Sequence, residues 1–92
     1  MTPEAAETYA LKVLGWLVGD AEILPIFMGA SGSSAEDIKA RAQDPEFLIA
    51  VLDFVMLDDV WVLACCQACS LAPDEMHIAR QLLPGGSTVN WT

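Results

Sequence analysis

Positive charge is scarce in this chain. Lys12, Lys39, Arg41 and Arg80 are its only basic residues, against 13 acidic ones, and the net charge is −9. Surfaces that track phosphates depend on clustered Lys and Arg displacing condensed counterions. Four scattered cations therefore argue against nucleic acid and anionic membrane as direct partners. A basic protein partner fits the balance, although an acidic surface also serves solubility alone. Histidine is scarcer still, with His77 standing alone. No glycine-rich dinucleotide fingerprint is present. No P-loop ending in Lys-Ser/Thr occurs, and no nucleophile motif surrounds Ser31, Ser33 or Ser34. The expectation is a protein that is not an enzyme and carries no cofactor.

Other absences bound the chain further. Cysteine occurs three times, an odd count, with Cys65, Cys66 and Cys69 inside one short stretch. That is no disulfide framework, and a reducing, cytoplasmic location is expected. The start, Met1-Thr2-Pro3-Glu4, has neither a basic nor an apolar leader region, so no signal peptide is expected. Period-two alternation framed by turn signals is missing, and so are strands by that criterion.

What the chain has is apolar residues. They make up 54% of 92 positions, glycine excluded, which is high for one small soluble domain. A chain this short has too little interior to hide them all. Some apolar surface should stay exposed, so a homodimer or a protein partner is expected. The longest apolar segment is Pro45–Cys69, interrupted by Glu46, Asp53, Asp58, Asp59 and Gln67. A membrane span needs about 20 apolar residues with few charges. Three aspartates in the middle, with no flanking basic cluster, favour two buried helices broken near residues 57–59.

The pattern predicts an all-α fold: an irregular bundle of five or six short helices in a single domain over residues 1–92. Thr2 caps the first helix and Pro3 starts it. Ala6, Ala10, Val13 and Leu17 form its inner stripe, widened by Tyr9, Leu14 and Trp16. Gly19 ends it, and Asp20 opens a short second helix over residues 21–28, made irregular by Pro25. Residues 29–33, rich in glycine and serine, read as a connector. Ser34 and Asp37 form a capping box for a surface helix to Gln43, anchored by Ile38. Asp44-Pro45 starts the fourth helix, in which Leu48, Val51, Leu52 and Val55 recur at helical spacing. Asp58-Asp59 caps a fifth, core helix over about 60–70, with Trp61 and Trp16 both placed in the core. A sixth helix begins at Pro73 and stops at Pro84-Gly85-Gly86.

Few residues could carry chemistry. Cys65, Cys66 and Cys69 offer neighbouring thiols on one helix. A metal would need His77 as well, without the usual ligand spacing, so packing explains them more simply than metal or redox use. Asp53, a lone acid in the most apolar helix, reads as buried and bonded either to loop backbone or to an arginine such as Arg80. Asp58 and Asp59 read as caps. Trp91 reads either as docked on its own domain or as an exposed anchor for a partner. Asp53, Asp58, Asp59 and Trp91 are the candidate contact residues. The functional expectation is a non-enzymatic helical interaction module, self-associating or bound to another protein. The alternative is a metal- or redox-responsive protein using the cysteines.

Leu52-Asp53-Phe54, Asp58-Asp59, and the ending Leu83-Pro84-Gly85-Gly86 with Trp91-Thr92 resemble, in order and spacing, a family of short bacterial proteins: domain-of-unknown-function family 3572. The Gly19-Asp20 junction and Ala40-Arg41-Ala42 before Asp44-Pro45 fit the same pattern. Pro25 and Asn90 depart from it, where a helix former and a histidine belong. The resemblance implies a small, cytoplasmic, helical protein and implies no activity.

Overall fold

Aspartate, serine and threonine side chains at the helix starts punctuate the chain, and the computed structural model describes residues 1–84 of it. Helix α1 covers Pro3–Gly19, with the Thr2 hydroxyl accepting from the Ala5 amide at 3.1 Å. Helix α2 covers Ile23–Ser31, α3 Ala35–Arg41, α4 Pro45–Val55 and α5 Asp59–Cys69. A 3₁₀ turn at Pro73–Glu75 leads into α6, Met76–Leu82. No strand occurs among the described residues, so the fold is all-α.

The caps sit where their side chains can satisfy orphan amides. Ser34 and Asp37 form a reciprocal capping box: the Asp37 amide donates to the Ser34 hydroxyl at 3.2 Å, and the Ser34 amide to the Asp37 carboxylate at 3.0 Å. The Ser34 amide first, and then the Ser34 hydroxyl, hold the Asp37 carboxyl below its ordinary range. Asp44 and Asp58 accept from the Glu46 and Val60 amides at 3.1 and 2.9 Å.

The second helix differs from the sequence expectation. Asp20 receives both the Glu22 and Ile23 amides at 2.9 Å, and the helix starts two residues after the expected position. Pro25 falls in its first turn, where no amide is needed, so the helix is regular. It also runs on through Gly29, Ala30 and Ser31, which the composition had suggested were loop. Only Gly32 turns, at φ +71°, a conformation that glycine adopts without steric cost. Gly19 is the last residue of α1 rather than a left-handed stop, and extended Asp20 ends the helix.

One core joins these helices. Ala6, Ala10, Val13 and Leu17 of α1 meet Leu48, Val51, Leu52 and Val55 of α4, all fully buried. Helix α6 adds Met76 and Ala79 and packs on both α1 and α4. An aromatic chain ties α2 and α5 to α4. Phe27 meets Phe47 and Phe54 edge-on, with centroids 5.9 and 5.1 Å apart, and Phe54 stacks on Trp61 at 5.0 Å. Such contacts add about 0.5–1.5 kcal/mol each beyond area burial. Helix α3 is anchored by buried Ile38, and Arg41 lies over the Phe47 ring at 5.1 Å.

The Pro45–Cys69 stretch is broken at residues 56–58, as its aspartates suggested. No single helix among the described residues is long and apolar enough to cross a membrane.

Candidate functional site

Helix α5 is not the core helix that its composition implies. Its residues Val62, Cys65, Cys66 and Cys69 form an inward row at i, i+3, i+4 and i+7, of which only Cys65 and Cys66 are buried. Its outward row has the same spacing: Val60, Leu63, Ala64 and Gln67, all exposed. Val60 is 70% exposed, Leu63 58%, and Leu57, in the turn just before the helix, 78%. A single exposed leucine is unremarkable, but three large apolar side chains along one edge form a patch. The patch borders a cleft of about 340 Å³ between α2 and α4, lined by Phe27, Ala30, Ala50 and Phe54, with Leu57 and Asp53 also on its wall. Trp61 and Trp16, expected in the core, are half-buried.

The inward side of α5 is built around a residue that sequence reasoning used only as packing. Tyr9 is 4% exposed, and its hydroxyl donates to the Ala72 carbonyl at 2.7 Å. Its single hydrogen is thereby committed, so the Cys66 thiol, 3.5 Å away, supplies the hydrogen of that second contact. The available signal was a tyrosine inside an apolar stripe, because a buried phenol needs a partner. Burial, and then the adjacent Cys66, push the Tyr9 hydroxyl above its ordinary range.

Burial likewise pushes the Cys65 thiol up to about 12, with Cys69 and Cys66 beside it adding to the rise. The reactive species of a cysteine is the thiolate, so Cys65 is a protonated, weakly nucleophilic group at neutral pH. Cys69 is half-buried and its thiol points to the Lys12 carbonyl at 3.7 Å. Among the described residues, no three His, Cys, Asp or Glu side chains gather as a metal site, and His77 is exposed.

Asp53 pairs with Arg80, one of the two partners its position suggested. The Arg80 Nε donates to one carboxylate oxygen and Nη2 to the other at 3.2 Å, a bidentate clasp between α4 and α6. Asp53 is nonetheless exposed rather than buried, because its helix face is the one narrow strip of α4 not covered by neighbours. Asp58 caps α5, and Asp59 is its first residue, exposed beside the apolar patch. The structure therefore brings Asp53, Asp58 and Asp59 to the same end of the molecule as Leu57. Trp91 lies outside the described residues.

This is a small all-α bundle, and among the described residues the outward face of α5 is one of the apolar faces it leaves uncovered, Leu11 and Val18 of α1 marking another. The chain belongs to a family of proteins of unknown function, DUF3572, whose sequence profile matches residues 3–86. No curated protein matches the chain, and no solved structure matches it.

Proposed function

We propose that this protein is a non-enzymatic interaction module whose working surface is the outward face of α5. One observation carries the reading: Leu57, Val60 and Leu63 project an apolar edge into solvent beside an apolar cleft. Leaving three such side chains in water forgoes about 1.5–3 kcal/mol each of burial free energy, which a partner could recover. Charged groups are depleted at the centre of protein interfaces, and the outward row Val60, Leu63, Ala64 and Gln67 has none.

A photo-reactive amino acid at position 63, compared with one at exposed Glu36 on α3, tests this in cells. Adducts with protein, identified by mass spectrometry, are expected from position 63 and not from position 36. Equal yields from the two positions, or no adduct from position 63, would contradict the reading.

A further inference from the structure

We infer that the occupant of the α5 face is an amphipathic helix of another protein, carrying Lys or Arg beside its apolar row. This rests on reading the face as an interaction surface and goes further by fixing the partner's chemistry. The charge distribution supports it. No Lys or Arg occurs between Arg41 and Arg80, and none occurs in α2. Helices α4 and α5 and the turn between them carry acids here, Asp53, Asp58 and Asp59 near the Leu57 end and Glu46 at the start of α4, while the Arg80 guanidinium of α6 is clasped to Asp53 on the cleft wall. Asp53 is already held by Arg80, which leaves Asp58 and Asp59 as the acids that a visiting cation would meet.

That arrangement disfavours the other occupants. A second copy would bring together two chains of net charge −9, which repel one another. Anionic lipid and nucleic acid are repelled by the same acids. A basic segment is attracted by them, and complementarity of this kind raises association rates and selects partners more than it adds affinity.

The shape of the face fits a helix. Eleven residues of α5 span about 16 Å, the length of three turns. Ala64 and Ala68, one turn apart and both exposed, let a second backbone approach, while Val60 and Leu63 stand beside them as ridges. At the Leu57 end, the cleft lined by Phe27, Ala30 and Phe54 accepts one anchoring side chain. An apolar row seated in a groove is the helix-in-groove mode of recognition.

The test uses the full chain and a designed peptide of about eighteen residues, with Leu and Lys alternating at helical period. A matched Leu/Glu peptide is the control. Methyl signals of Leu57, Val60 and Leu63 report the site. The Leu/Lys peptide is expected to shift them saturably, and Val60→Ser with Leu63→Ser, which leaves charge unchanged, to weaken binding roughly tenfold or more. Asp58→Asn with Asp59→Asn keeps a capping side chain and is expected to weaken binding and flatten its salt dependence. Equal binding of the Leu/Lys peptide to the serine variant means adsorption by charge alone and overturns the inference. Binding of the Leu/Glu peptide as tightly as the Leu/Lys peptide does the same. Concentration-dependent shifts of those methyls without peptide identify a second copy as the occupant; they overturn this inference and leave the interaction reading standing.

Discussion

Replacing Tyr9 with Phe removes one oxygen and leaves the ring packed as before. Three effects set the size of the change. The hydroxyl loses its bond to the Ala72 carbonyl, whose net contribution is about 0.5–1.5 kcal/mol. The carbonyl is not orphaned, because it also accepts from the Glu75 amide at 3.1 Å and Ala72 is exposed to water. The further penalty for a buried unpaired acceptor therefore does not apply. The Cys66 thiol loses an acceptor, but a thiol is a weak donor and the change is small. The sum is a destabilisation of about 1 kcal/mol. Urea unfolding measures it: with a slope of about 1 kcal/mol/M for a small protein, the midpoint should fall by about 1 M at unchanged slope. Hydrogen exchange should quicken locally, at Leu71 and Glu75, ahead of α1 and α4. A loss above about 3 kcal/mol would show that the hydroxyl belongs to a tightly buried network rather than clasping the connection before α6. No loss at all would show that the clasp holds nothing.

Four other outcomes follow from single features. Ser70 caps α5 at φ 57°, a left-handed conformation unfavourable to a residue with a Cβ, so Ser70→Gly should raise stability by about 0.5–1 kcal/mol in the same urea assay. The folded protein holds the Cys65 proton to about 12, whereas the unfolded chain releases it near about pH 8.5. The unfolded state then binds fewer protons, so stability is intact below about pH 8.5 and falls by about 1.4 kcal/mol per pH unit as pH rises toward 12; Cys65→Ala should flatten that decline. In a thiol-titration time course at pH 8, Cys69 should react first and Cys65 and Cys66 slowly. Finally, the Asp53–Arg80 clasp is solvent-exposed, and a double-mutant cycle with Asp53→Ala and Arg80→Ala should give a coupling below about 1 kcal/mol.

The helix starts were legible because capping is local. A side chain two or three residues from an orphan amide decides the matter, as Ser34 with Asp37 and Asp44 with Pro45 do here. The α4 core was legible because Leu48, Val51, Leu52 and Val55 share one face and leave little polar surface. Residues 29–31 misled because glycine and serine lower helix propensity by about 1 kcal/mol at most, which the packing of Phe27 overrides. Helix α5 was hard to orient from sequence. Its rows at 62, 65, 66, 69 and at 60, 63, 64, 67 have equal spacing, and Gln67 alone marks the second as polar, so periodicity says little about which one faces inward. Tertiary packing on α1 and α4 decides it, and the discarded row becomes the candidate site. Asp53 misled for the opposite reason. Its helix is apolar nearly all round, yet burial follows the positions of neighbours, and none covers that strip.

The central claim is that the outward face of α5 serves association rather than folding. Paired measurements on one variant test it most directly: the urea midpoint and the cross-linking yield of Val60→Ser with Leu63→Ser, with the photo-reactive residue at position 57. Both residues are mostly exposed, so the midpoint should stay within about 0.5 M of wild type, or about 0.5 kcal/mol, while the protein adduct disappears. An adduct retained at full yield would contradict the account. So would a midpoint that collapses, since that would make the face part of the core.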